Sequence, residues 1–120
     1  MVKILLIDDE PDVIEFQKSY LSRRTYSVFT ARNASEAIEI IKSQDPEIIF
    51  CDIRLESDTA GFDILKQAKQ MSQKSIVYLV TGLTDKETEK QGLALGAREI
   101  LIKPLTNEML EQKVREITEA

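Results

Sequence analysis

The chain has 120 residues, enough for one compact domain with a layered core. Hydrophobic residues make up 42% and charged residues 31%, which is the balance of a globular protein and not of a disordered one. Histidine is absent, and this excludes a Ser-His or Cys-His nucleophile, a His-ligated zinc site and a phosphohistidine on this chain.

Charge and cysteine content narrow the expected partners and compartment. The net charge of −5 disfavours binding to nucleic acid or to an anionic membrane. The single cysteine, Cys51, cannot form an intrachain disulfide and fits a reducing compartment. No apolar run reaches the roughly 18 residues that a membrane span needs, and no basic signal region precedes the first apolar segment. We therefore expect one cytoplasmic domain over residues 1–120, without membrane contact.

Five short apolar segments recur along the chain and predict five β-strands. Four of them are continuously apolar and rich in β-branched residues, as is typical of strands covered on both faces. The second segment alternates instead, so we place it at an edge of the sheet. In chain order the segments are residues 4–7, 26–29, 48–51, 76–80 and 100–102.

A helical pattern follows each strand. Pro11 suits the first turn of the first helix, and the spacing of Val13, Phe16 and Tyr20 predicts that these residues form its buried stripe. Asn33 before the second helix is expected to be its N-cap, with Glu36 three residues later. The fifth helix follows Thr106, and Leu110, Val114 and Ile117 form its apolar stripe.

The fourth helix is the most polar of the five. Thr84 and Glu87 have the spacing of a capping box, and Gly96 is a suitable residue just beyond the end of the helix. Residues 85–91 are nearly all polar. We expect this helix to be mostly exposed and only marginally stable.

Strict alternation of strands and helices with short connections predicts a doubly wound α/β fold. With five strands, the leading candidate is the flavodoxin-like three-layer sandwich, with a parallel sheet in the order 2-1-3-4-5. In that order the winding reverses between strands one and three. Ligands are therefore expected at the carboxyl ends of these two strands.

Polar residues stand where four of the predicted strands end. Asp8 and Asp9 follow the first strand, Asp52 the third, Thr81 the fourth and Lys103 the fifth. Carboxylates brought together in a crevice repel one another and need a cation, and oxygen ligands of this kind suit Mg²⁺. A carboxylate nucleophile beside a metal, a lysine and a hydroxyl can carry out phosphoryl transfer. The aspartates and Thr81 could each be a turn or cap residue, whereas Lys103 interrupts an otherwise buried run. The joint pattern favours a site.

These segments resemble the receiver domain of two-component response regulators, and the resemblance runs over essentially the whole chain. The Asp-Asp pair alone is moderately specific, whereas its combination with a later Asp, a Thr and a Lys-Pro is strong. The matching segments are residues 4–11, 51–55, 80–82, 96–97 and 102–105.

The resemblance implies the role of each site residue. Asp52 would be the phosphoacceptor, Thr81 would bind the phosphoryl group in the active state, and Lys103 would pair with it. The Lys103–Pro104 peptide bond would be cis. The phosphoryl group would come from a phosphohistidine on a sensor histidine kinase or phosphotransfer protein. The output would pass to an effector domain or partner protein through the face formed by helix four, strand five and helix five, and the domain itself would not be an enzyme.

The same resemblance implies a Mg²⁺ site. Asp9 would bind the metal directly, Asp8 mostly through water, and the backbone carbonyl of Arg54 would complete the ligands beside Asp52.

The chain departs from the family pattern at three places. Ile100 stands where many receivers have an aromatic residue, so the usual aromatic switch is not expected. The loop over residues 55–61 lacks the common Pro and is one residue longer. Arg54 and Leu83 occupy the two variable positions that flank the phosphoryl group, where they could shield it from water.

Two other functions on a similar fold fit the sequence less well. An Asp-nucleophile phosphohydrolase needs a second Asp two positions after the nucleophile, and Asp8 is followed at that spacing by Glu10. An FMN carrier needs a hydroxyl- and glycine-rich phosphate loop after the first strand, where this chain is acidic.

Overall fold

Five β-strands alternate with five α-helices within residues 1–82 and 85–119, which are the residues that this computed structural model describes. The strands are β1 (Lys3–Ile7), β2 (Ser27–Ala31), β3 (Ile48–Asp52), β4 (Ile76–Thr81) and β5 (Glu99–Ile102). The helices are α1 (Pro11–Ser22), α2 (Ala34–Gln44), α3 (Ala60–Met71), α4 (Lys86–Ala94) and α5 (Asn107–Thr118). No helix in the described part of the chain is long and apolar enough to cross a membrane.

The strands form one parallel sheet in the predicted order β2-β1-β3-β4-β5. β2 lies at an edge, as its alternating sequence predicted, and is less buried than β1 or β3. It runs to Ala31, beyond its predicted end, because its pairing with β1 continues to Ile7. β3 and β4 each run one residue further than predicted, so that Asp52 and Thr81 are the last residues of their strands.

Helices cover both faces of the sheet and enclose two apolar clusters. Successive strand residues point to opposite faces, so Leu5 and Ile7 belong to one cluster whereas Ile4 and Leu6 belong to the other. The first cluster packs against α2 and α3, and the second packs against α1 and α5. This arrangement confirms the three-layer sandwich.

The buried face of α1 differs from the predicted stripe. Ile14 and Leu21 are buried, whereas Phe16 is 70% exposed and Val13 and Tyr20 are only half-buried. Ile14 and Leu21 are seven residues apart, as Val13 and Tyr20 of the predicted stripe are, so helical spacing alone did not decide between the two faces. Packing against the sheet selected the face with Ile14.

The predicted cap of α2 is confirmed, and the structure shows that Thr106 caps α5 in the same way. The side chain of Asn33 accepts a hydrogen bond from the Glu36 amide at 2.9 Å, and Thr106 accepts one from the Met109 amide at 3.1 Å. These bonds satisfy amides of the first helical turn that have no partner within the helix.

The cap of α4 lies one residue later than predicted. The Asp85 carboxylate accepts a hydrogen bond from the Thr88 amide at 2.7 Å, and the predicted cap, Thr84, lies outside the described residues. Gly96 follows the helix end with a φ of 106°, as its predicted role requires. The polar body of α4 is exposed, as expected, and within this helix Gly92 is the buried residue.

Gly92 lets α4 lie directly on the sheet. A Cβ at this position would lie 2.5 Å from Cδ1 of Ile100 and 3.0 Å from Cδ1 of Leu79. These two residues are paired neighbours on β4 and β5. α4 is therefore seated on β4 and β5 through a glycine.

Candidate functional site

The carboxyl ends of four strands bring the predicted polar residues to one edge of the sheet. Asp52 ends β3, Asp8 follows β1 and Thr81 ends β4, and all three are buried. Strand-like backbone bonding continues to Lys103, whose amide donates to the Thr81 carbonyl at 2.8 Å. A cavity of about 260 Å³ is lined by Asp9, Glu10, Asp52, Arg54, Thr81, Gly82 and Lys103.

Lys103 pairs with the carboxylates of two different strands. Its Nζ lies 2.8 Å from Oδ2 of Asp52 and 3.6 Å from Oδ2 of Asp8. The lysine is a third exposed, while both carboxylates are nearly enclosed. The ion pair therefore offsets part of the cost of burying negative charge at this end of the sheet. The Lys103–Pro104 bond is cis, as predicted.

Burial is the main influence on the charge of Asp52. It raises the pKa of this carboxyl group to about 6; the hydrogen bond from Lys103 opposes the shift, and the negative charge of Asp8 adds to it. Burial lowers the pKa of Lys103, but the hydrogen bond and charge of Asp52 outweigh this and raise it. At neutral pH Asp52 is mostly ionised and Lys103 is protonated.

Three consecutive carboxylates after β1 form a candidate cation site. One oxygen from each of Asp8, Asp9 and Glu10 lies within 4.8 Å of the others. The Asp8 side chain also accepts a hydrogen bond from the Glu10 amide at 3.0 Å, which orients it within the turn. These hard oxygen donors, open to water at Asp9 and Glu10, fit the Mg²⁺ expected from the sequence.

Sequence reasoning assigned no role to Glu10, although it is the third acid of an Asp-Asp-Glu run. Asp52 was assigned to the metal, but in this structure its Oδ2 is engaged by Lys103. Arg54 lines the same cavity, while its side chain points to an exposed ion pair with Asp58 at 3.5 Å. Leu83, predicted to flank the phosphoryl group, lies outside the described residues.

Gly61, in the first turn of α3, touches the backbone of the phosphoacceptor candidate. A Cβ there would lie 2.5 Å from both the Asp52 carbonyl oxygen and the Ile53 Cα. Sequence reasoning missed this role. The sequence placed Gly61 at the end of the loop over residues 55–61, where a glycine is common, so it carried no signal of this contact.

The long loop between β3 and α3 leans towards α2. The side chain of Leu55 packs against the first apolar cluster. Both carboxylate oxygens of Glu56 accept a hydrogen bond from the Ala34 amide, at 3.2 and 3.0 Å. These two contacts hold this part of the loop against α2 and the first apolar cluster.

The fold and this edge of the sheet define a class: flavodoxin-like domains with an acidic crevice and a lysine at the carboxyl ends of the strands. Residues 4–115 match the family model described as the response regulator receiver domain. The chain belongs to this family, and it is a receiver domain of two-component response regulators.

Individual relatives agree with this assignment. The chain is 30% identical over 118 residues to the alkaline phosphatase synthesis transcriptional regulatory protein PhoP of Bacillus subtilis, covering 96% of this chain and 48% of that protein. It is 32% identical over 103 residues to the response regulator protein PilR of Pseudomonas aeruginosa, covering 86% of this chain and 23% of that protein. This chain therefore spans about half the length, or less, of the curated relatives that it matches.

Solved structures are similar over nearly the whole chain. A two-component response regulator from Clostridium difficile has a TM-score of 0.91 and 31% identity, covering 99% of this chain and 97% of that one. The chemotaxis protein CheY4 of Vibrio cholerae has a TM-score of 0.88 and 27% identity, covering 98% of both chains.

The contact at Gly61 predicts that adding a single methyl group at this position lowers the stability of the folded protein. Gly61→Ala should destabilise the protein by about 1–3 kcal/mol, because the new methyl group meets rigid backbone. Gly82→Ala is the matched control, since a Cβ there meets nothing within 4 Å. Urea unfolding of the two variants measures the difference. Equal stability of the two variants would contradict the close contact.

The raised pKa of Asp52 predicts how stability depends on pH in the absence of metal. Its folded-state pKa of about 6 lies above the ordinary value of 3.8, so the folded chain binds more protons between these values. Stability should therefore fall as the pH rises from about 4 to 6 and then level off. Above this window Asp52→Asn should be about 1–2 kcal/mol more stable than wild type, because Asn carries no negative charge that burial and Asp8 disfavour.

Urea unfolding between pH 4 and 8 in EDTA measures this effect. Asp63→Asn, on an exposed part of α3, is the control and should follow wild type. An Asp52→Asn protein that is less stable than wild type at pH 7 would contradict the cost assigned to the buried charge.

Proposed function

We propose that residues 1–120 form one receiver domain that accepts a phosphoryl group on Asp52 from a phosphohistidine of a sensor histidine kinase or phosphotransfer protein. The observation that carries this proposal is the buried Asp52 carboxylate at the end of β3, with the Lys103 ammonium at 2.8 Å and three carboxylates nearby. The receiver family supports the donor class. The proposed location is the cytoplasm.

Asp52 is suited to act as the nucleophile. Its pKa of about 6 leaves it mostly ionised at neutral pH, and burial removes much of the water that would weaken an exposed carboxylate. Its oxygen would attack phosphorus, forming an acyl phosphate as the bond from phosphorus to the donor nitrogen breaks. The donor imidazole leaves with the electron pair of that bond.

The neighbouring side chains would stabilise the transferred group. Lys103 is close enough to move from the Asp52 carboxylate to a phosphoryl oxygen, and the Thr81 hydroxyl on the next strand could donate to another. Asp8, Asp9, Asp52 and the Arg54 carbonyl are the proposed Mg²⁺ ligands, and Glu10 is the additional carboxylate of this cluster. Bound Mg²⁺ would supply positive charge to the phosphoryl oxygens. In this way the domain assists its own phosphorylation without being an enzyme.

Intact-mass measurement tests the phosphoacceptor. After incubation with a small acyl-phosphate donor and Mg²⁺, wild type should gain one phosphoryl group and Asp52→Ala none. Asp63→Ala, an aspartate removed from an exposed part of α3, should be labelled like wild type. Labelling of Asp52→Ala at the wild-type extent would overturn the assignment.

The proposed output face consists of α4, β5 and α5. α4 is polar, exposed and seated on Ile100 and Leu79 through Gly92, so small changes in β4 and β5 can move it. Leu79 lies two residues before Thr81 on β4, which connects this seat to the phosphoryl site. Such a shift of α4 would replace the aromatic switch that Ile100 cannot supply, and would be read by an effector domain or partner protein.

Hydrogen exchange with and without phosphorylation tests this output. Protection should change most in α4 in wild type, because α4 makes few buried contacts of its own. Asp52→Asn treated in the same way should show no change. A change confined to α1 in wild type would place the output on another face.

A further inference from the structure

Glu56 joins the loop after Asp52 to the start of α2. The Ala34 amide is one of the first-turn amides that lack an intrahelical partner, and both oxygens of Glu56 accept its hydrogen bond. The Asn33 side chain already accepts a hydrogen bond from the Glu36 amide three residues later, so Glu56 completes the cap from a different part of the chain. A carboxylate at this end of a helix also interacts favourably with the helix dipole.

The same loop carries the Arg54 carbonyl, one of the proposed cation ligands. The next amide, that of Leu55, donates to the Ser57 carbonyl at 3.1 Å, inside the loop. In a planar trans peptide the C=O and N–H groups point in opposite directions, so this bond turns the Arg54 carbonyl away from the loop interior. The orientation of one peptide plane thus determines where a ligand oxygen points.

Three contacts hold that peptide plane. Leu55 packs on the first apolar cluster, Glu56 is bonded to α2, and the Gly61 amide donates to the Ile53 carbonyl at 2.9 Å. By contrast, the Arg54–Asp58 ion pair is long and exposed, and such pairs contribute little. Among the exposed loop side chains, Glu56 makes the contact that ties the loop to another element.

We propose that Glu56 is a positioning residue for the cation site. By bonding the α2 N-terminus it holds the Leu55 peptide, and through it the Arg54 carbonyl, in a geometry ready for Mg²⁺. This inference rests on the proposed cation site. It adds to the proposed ligands a residue that does not touch the metal and acts through its bond to α2. α2, which touches no part of the cavity at the strand ends, becomes part of the support for metal binding.

Titration calorimetry with Mg²⁺ tests the proposal on wild type and three variants. Glu56→Ala should weaken Mg²⁺ binding about three- to tenfold, somewhat less than the loss of a contact made directly to a metal ligand. Glu56→Gln loses the charge but keeps an acceptor oxygen, and it should recover most of the affinity. Asp58→Ala removes an equal charge two residues away and should bind nearly like wild type.

A second measurement reports on the loop without metal. Hydrogen exchange at the Leu55 amide should be faster in Glu56→Ala than in wild type, and unchanged in Asp58→Ala. A purely structural cap would lower the metal-free melting temperature of Glu56→Ala while leaving Mg²⁺ affinity and Leu55 exchange at wild-type values, and this result would overturn the proposal.

The remaining outcomes separate the inference from the proposed function. Equal weakening by Glu56→Ala and Asp58→Ala would show a general charge effect and reject the positioning role. Wild type that binds no Mg²⁺ would reject the cation site itself. If wild type binds Mg²⁺ and Glu56→Ala binds it with the same affinity, only the role of Glu56 is rejected.

Discussion

The ion pair between Asp52 and Lys103 joins the chemistry of this domain to its fold. A carboxylate at the end of a buried strand loses most of its hydration, and this cost appears as its raised pKa. β4 lies between β3, which ends in Asp52, and β5, which Lys103 follows. A backbone hydrogen bond to Thr81, beyond the end of β5, holds Lys103 in place. The pair therefore forms only when β3, β4 and β5 are correctly assembled, and under the proposed function a phosphoryl group on Asp52 would become the new partner of the lysine.

Two glycines set the distances between helices and sheet around this pair. Gly61 brings the first turn of α3 against the backbone of Asp52, where the neighbouring atoms cannot yield. Gly92 brings α4 against the ends of two side chains, Ile100 and Leu79, which can change rotamer. The contact beside Asp52 is therefore rigid, while the contact beneath α4 is adjustable. This difference fits the proposed roles of the two contacts, with phosphoryl transfer beside Gly61 and movement of α4 above Gly92.

The acidic turn and the loop after β3 approach the crevice from its two sides. Asp8, Asp9 and Glu10 converge through a turn in which Asp8 bonds the Glu10 amide. The loop with Arg54 is instead drawn towards α2 by Glu56. Each side of the proposed metal site is thus held by a side-chain hydrogen bond to a backbone amide, one within the turn and one between elements far apart in the sequence.

The fold class, the edge position of β2, the cap at Asn33 and the meeting of Asp8, Asp52, Thr81 and Lys103 were determined by the sequence alone. Those features follow from short-range periodicity, cap chemistry and the rule that parallel strands end at one edge, all of which can be read locally. The buried face of α1, the Gly61 and Gly92 contacts and the bond from Glu56 to α2 were decided only by the tertiary structure. Each of them depends on the distance between elements separated along the chain, and helical spacing fits Phe16 as well as Ile14 until packing against the sheet selects one face.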